Sequence, residues 1–301
     1  MFFPVALVVA LVQPAAAPKF EIADGDRIVW IGNTLVEREQ RYGYWETALH
    51  AAFPDKQFTL RNLGWSGDTV HGDARAGFEN AAKGFERLVS LTLELKPTVI
   101  FVSYGTNESF EGEAGLPKFE KGLEKLLDAL KPAKARVVLF TPLPIEELAY
   151  PGDVRKVKHS LIKYSEVIRT TAEKRKAFLA DLQMTGVVPF LAANSAVPPH
   201  RLTDNGMHLN ESGYREFADM SFLVALRAEM FGGGADWSKL EPLRKASSPR
   251  TSCSSIAGGP KTRRTYSASA STSRATTPSR SNSSNRWWRR PTRKSKRSAR
   301  R

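Results

Sequence analysis

Between Asp26 and about Phe231, short apolar runs rich in β-branched and aromatic residues alternate with longer stretches whose apolar positions recur at helical spacing. The runs Ile28–Ile31, Phe58–Leu63, Thr98–Ser103, Arg136–Phe140 and Ala177–Asp181 read as strands. Leu35–Ala52, Gly84–Leu95, Pro117–Leu130, Val157–Lys174 and Glu211–Met230 read as helices with one apolar face. Strands separated by helices of this length predict a parallel sheet covered on both faces. Residues 18–240 are therefore expected to form one α/β domain, a three-layer α/β/α sandwich around a five-stranded parallel sheet. Trp30, Trp45 and Phe101 fall at core-like positions and need no functional explanation.

In sheets of this kind ligands bind at the carboxyl ends of the strands, around the point where strand order reverses. That rule singles out four loops, and each carries a polar cluster. The clusters are Gly-Asn-Thr at 32–34, Gly-Trp-Ser-Gly-Asp-Thr at 64–69, Gly-Thr-Asn-Glu-Ser at 105–109 and Asp-Asn-Gly-Met-His-Leu-Asn-Glu-Ser-Gly-Tyr at 204–214. Each also has a plain reading. Asn33 with Thr34, and Asn210, suit the start of a helix, because a short polar side chain there satisfies a free backbone N–H. The second and third clusters make ordinary loops, and a single histidine such as His208 is more often structural than catalytic. His50, His71, His159 and His200 carry no such context.

In order and spacing the four clusters resemble the four blocks of the SGNH (GDSL-type) hydrolases, over about residues 26–230. The resemblance implies a flavodoxin-like SGNH hydrolase fold and hydrolysis of an ester, such as an acyl group on a carbohydrate. It puts Thr34 at the place of the serine nucleophile and Asn33, on the substrate side, at the place of the preceding aspartate. The oxyanion hole would be the N–H groups of Thr34 and Gly67 with the Asn107 amide, and His208 would be the base. Three residues before His208, where the family has aspartate, stands Asn205; Asp204 is one place too early. No metal or cofactor is implied.

These residue types fit acyl transfer. A hydroxyl is a poor nucleophile until a base takes its proton. A tetrahedral intermediate needs donors aimed at its oxygen. The base must be held in one tautomer by an acceptor on its other ring nitrogen; the oxygen of an amide orients the ring but adds no charge. Thr34 keeps a hydroxyl, with a methyl that stiffens its rotamer. The competing expectation is a cleft that binds a glycan or a protein partner with little or no turnover.

Gly-Asn-Thr-Leu at 32–35, Tyr-Gly-Tyr-Trp-Glu at 42–46 and Asn-Leu-Gly-Trp-Ser-Gly-Asp at 62–68 narrow the likeness. With 107–119 they are similar to the SGNH-like domains of large exported planctomycete-type proteins, which often also carry haem-binding domains with Cys-x-x-Cys-His motifs. In that group threonine is usual at the nucleophile position. Cys253 is the only cysteine, so neither such a motif nor an internal disulfide is expected here.

The net charge of +14 is concentrated at one end. Residues 246–301 hold 15 Lys or Arg and no acid, so 14 − 15 leaves −1 for residues 1–245. The domain is thus nearly neutral, and residues 241–301 read as a basic Ser/Arg-rich disordered tail. A polycation with Trp287 and Trp288 can meet nucleic acid through phosphates and stacking, though nothing in it is specific. Out-of-frame translation of a GC-rich gene yields the same composition, and a shifted frame from about residue 247 is the second expectation for the tail. At the other end, a short apolar run followed by Ala15–Ala17 predicts a signal peptide over residues 1–17 and export, with no further membrane segment.

Overall fold

A computed structural model describes residues 20–146, 154–183, 201–218, 222–226 and 236–247. The expected leader at 1–17, His200 and the chain beyond Ser247 lie outside these residues. Five strands form one sheet: β1 Asp26–Gly32, β2 Phe58–Gly64, β3 Val99–Ser103, β4 Arg136–Phe140 and β5 Phe178–Ala180. Their order is β2-β1-β3-β4-β5 and every pairing is parallel. This is the doubly wound arrangement expected, with strand order reversing between β1 and β3.

Alternate residues of the central strands feed two cores. Ile28, Trp30, Val99 and Phe101 face one layer, while Val29, Ile31, Ile100 and Val102 face the other. On the first face the Trp30 ring stacks with Trp45, Phe140 and Phe222 at 5.7, 5.7 and 5.5 Å between centroids. The second face is filled mainly by leucines from α3 (Ala81–Glu94) and α4 (Leu116–Leu130), with Tyr164 and Ile168 of α5 (Val154–Arg175).

The helix expected over Leu35–Ala52 is two helices, α1 Thr34–Tyr42 and α2 Tyr44–Ala52. Gly43 between them has φ 71° and closes α1 through its N–H to Glu39 O, a left-handed cap that glycine adopts without a Cβ penalty. The buried Glu39 carboxylate then accepts from Trp45 N and Glu46 N, at 2.7 and 3.2 Å, and so starts α2. Continuous apolar periodicity conceals this break. Of the stretch expected as Glu211–Met230, the described part is α6 Glu211–Phe217 and a single turn at Leu223–Ala225. A further helix, α7 Trp237–Ser247, runs past the boundary expected at residue 240. Its Arg244 donates to Tyr42 O at 2.8 Å and lies over the Tyr44 ring, which ties this helix to α1 and α2.

Candidate active site

β1 ends at Gly32, in register with Gly64 of β2 and Ser103 of β3, so three of the four polar clusters leave the sheet side by side. Asn33 is the N-cap of α1. Its backbone is extended and its Oδ1 accepts from Leu35 N–H at 3.1 Å. The helix cap and the candidate site residues thus share one turn. Thr34 is the first residue of α1, which places its hydroxyl at the positive end of a helix.

The second cluster comes to Thr34 directly: Gly67 N–H donates to Thr34 Oγ1 at 3.1 Å. Gly67 has φ 74° and nothing within 4 Å of where a Cβ would stand. What requires glycine there is the backbone conformation, not crowding. Asn107 donates one amide hydrogen to Asp68 O at 2.7 Å, which ties the third cluster to the second. Beneath both lies a fully buried group. Asp68 Oδ2 accepts from Arg75 Nε at 2.6 Å and Tyr104 OH at 2.9 Å, and Arg75 Nη2 donates to Leu63 O at 2.7 Å. Burial raises the Asp68 carboxyl pKa, and Arg75 and Tyr104 oppose the rise. Glu108 straddles the two loops, accepting from Val70 N and Gly105 N, each at 2.8 Å. Burial pushes its pKa up to about 7 despite those two bonds.

The fourth cluster is a tight loop closed by the Thr203–Leu209 bridge and by Asp204 N to His208 O at 2.8 Å. Glu146 anchors it: the buried carboxylate accepts from Leu202 N, Thr203 N and the Thr203 hydroxyl, and its own N–H donates to Gly206 O. Within the loop, Asn205 Oδ1 accepts from Met207 N at 3.2 Å and His208 N at 2.9 Å. The Asn205 amide nitrogen therefore faces the ring, 3.2 Å from His208 Nδ1. The expectation that the amide oxygen would hold the ring is not what the geometry has. Asp204 pairs with Arg38 of α1, and its carboxylate makes no hydrogen bond to His208. The His208 pKa is lowered by burial and by Arg38, with Asp204 opposing.

Asn33, Thr34, Asn107 and His208 meet in one open cleft of about 380 Å³, with Thr106 beside them and Leu35, Leu143, Ile145 and Met207 as apolar walls. Gly67 touches the cleft through its bond to Thr34. Among the described residues, no hydrogen bond joins Thr34 directly to His208. Nor do the described residues contain a group of three or more His, Cys, Asp or Glu side chains suited to a metal ion. Residue patterns alone missed Arg38, Asp68, Arg75, Tyr104, Glu108 and Glu146. Asp68 and Glu108 stood inside the second and third clusters, and Tyr104 directly before the third.

The profile of the GDSL-like lipase/acylhydrolase family matches residues 24–216. No curated protein matches the chain. Among solved structures, the chain is similar to the acetylxylan esterase Axe2 from Geobacillus stearothermophilus. The TM-score is 0.53 at 20% identity, over 71% of this chain and all of the other. It is similar also to LAE5, an α/β hydrolase enzyme from the metagenome of Lake Arreo, at TM-score 0.52 and 23% identity over 69% and 97%. A gut microbial diltiazem-metabolizing enzyme shares the fold at TM-score 0.54 and 20% identity, over 71% of this chain and 49% of that one. At these identities the structures speak for the fold alone, while the profile spans the four polar clusters: the chain belongs to the GDSL-like lipase/acylhydrolase family.

Proposed function

We propose that the chain hydrolyses short acyl esters, acetyl groups on carbohydrate being the substrate class, with Thr34 as nucleophile and His208 as base. The observation that carries this reading is the gathering of Thr34, Asn107 and His208 in one cleft, with the Gly67 N–H on the Thr34 hydroxyl. Thr34 Oγ attacks the ester carbonyl carbon as its proton passes to His208 Nε2. The carbonyl electron pair moves onto oxygen, where the N–H groups of Thr34 and Gly67 and the free amide hydrogen of Asn107 meet it. Collapse expels the alkoxide, which takes the proton from His208 and leaves an acyl-threonine. Water then repeats the cycle and releases the carboxylic acid. The apolar walls Leu143, Ile145 and Met207 of the cleft suit an acetyl methyl. The name of Axe2, an acetylxylan esterase, agrees with that class. The threonine usual in the narrower group resembled by the sequence supports Thr34 as native to the site. The apolar N-terminal run supports action outside the cytoplasm.

One observation favours a second reading, binding of an ester or glycan without turnover: the group facing His208 Nδ1 is an amide nitrogen, not a carboxylate. The test is hydrolysis of a panel of acetyl esters by the full chain beside Thr34→Ala, Thr34→Ser and His208→Ala. Activity lost in both alanine variants and raised by serine is the expected result. Activity untouched by either alanine change refutes the site. No turnover in any protein, Thr34→Ser included, favours the binding cleft.

A further inference from the structure

The hydrogen bonds around Asn205 determine more than the orientation of a ring. Asn205 Oδ1 is held by two backbone donors, Met207 N–H at 3.2 Å and His208 N–H at 2.9 Å. Turning the amide over would point its two hydrogens at those donors, so the nitrogen is fixed on the side of His208, 3.2 Å from Nδ1. An amide nitrogen only donates. For this contact to be a hydrogen bond, His208 Nδ1 must offer a lone pair, and the single proton of the neutral ring then sits on Nε2.

We infer that Asn205 is a positioning residue that holds His208 in the Nε2–H tautomer, so that the resting site is restrained from deprotonating Thr34. A histidine in that state presents a donor, where the proposed reaction needs the lone pair. Among the described residues, the carboxylate acting on His208 does not restore the usual arrangement, because Asp204 is paired with Arg38. The free cleft is therefore rich in donors: His208 Nε2–H, the second hydrogen of Asn107 and the Thr34 hydroxyl. In the Ser–His–Asp triad, the equivalent exchange of carboxylate for amide leaves the geometry intact and lowers kcat about 10⁴-fold through the wrong tautomer. Asn205→Asp is the same exchange in reverse and is nearly isosteric. One carboxylate oxygen keeps both backbone donors, and the other replaces Nδ2 and accepts a proton on Nδ1.

This inference rests on the reading of the cleft given above, and its test separates the two. The full chain, labelled with ¹⁵N at histidine, is compared with Asn205→Asp by long-range ¹H–¹⁵N spectroscopy, with His208 assigned from the signals lost in His208→Ala. Expected at neutral pH is a pyridine-type Nδ1 and a pyrrole-type Nε2 in the native chain, reversed in Asn205→Asp. Acetyl-ester kcat is expected to rise by about 10³- to 10⁴-fold in the same variant. A native His208 already protonated on Nδ1, or a tautomer unchanged by Asn205→Asp, overturns the inference. A reversed tautomer without turnover supports it and counts against the hydrolase reading instead.

Discussion

Replacing Arg75 by methionine removes the cation from beneath the second and third polar loops while keeping much of the side-chain volume. Asp68 and Arg75 are 0% and 2% exposed, so the Asp68 carboxylate would be left in the core with Tyr104 OH as its one remaining side-chain donor. Breaking a buried pair from one side costs about 3–5 kcal/mol, most of it the stranded charge. The Leu63 carbonyl also loses its Arg75 donor, a further cost of about 1 kcal/mol. Asp68 can escape part of this by binding a proton. Burial already raises its pKa above 3.8, and without Arg75 it rises further. The folded variant then holds a proton that the unfolded chain has released, so its stability falls as pH climbs through 3.8 toward the raised value. Urea unfolding followed by tryptophan fluorescence should show a loss of roughly 4–6 kcal/mol at pH 8, shrinking to about 1–2 kcal/mol near pH 4. Adding Asp68→Asn should recover most of the difference at pH 8. A loss below about 1 kcal/mol at pH 8, or one independent of pH, would refute the reasoning.

Two predictions concern histidine titration. Burial against Phe58 takes the His50 pKa down to about 4, while the unfolded chain titrates near 6.5. Below 6.5 the unfolded state binds more protons, so stability present at neutral pH is lost as pH falls toward 4, by about 3 kcal/mol in all. In His50→Gln this part of the pH dependence should vanish from thermal unfolding; parallel profiles for the two proteins would contradict it. His208 must be neutral to act as base, and burial and Arg38 lower its pKa, so kcat/KM should rise through a midpoint below 6.5 and level off by neutral pH. Arg38→Gln removes a cation and frees Asp204, the other charged group beside the ring, so the midpoint should move up. An unmoved midpoint would mean that another group controls the rate.

The layers and the five parallel strands were legible because Trp30, Ile31, Phe101 and Val102 stand in continuous apolar runs, as a sheet buried on both faces requires, and helical stretches separate those runs; the strand order came from the coordinates. The break at Gly43 was not legible, because Leu35, Tyr42, Trp45 and Leu49 keep a helical period straight across it. At the site, short polar motifs marked the residues that turn at strand ends. The supports went unseen: Arg75 and Glu146 look like ordinary surface charges until burial and hydrogen bonds show otherwise. The choice between Asn205 and Asp204 behind His208 also needed coordinates, since it depends on which atoms the loop's own N–H groups occupy and on an arginine far away in sequence.

The most direct test of the account is where an acyl group lands. The full chain, treated with an activated acetyl ester, quenched in acid and mapped by peptide mass spectrometry, should carry acetyl on Thr34, because a base held in the wrong tautomer slows deacylation as well as acylation. The label should be absent from Thr34→Ala and much reduced in His208→Ala. Turnover with the acetyl group on another residue, or turnover that persists in Thr34→Ala, would contradict the claim that this cleft is an acylhydrolase site built on Thr34 and His208.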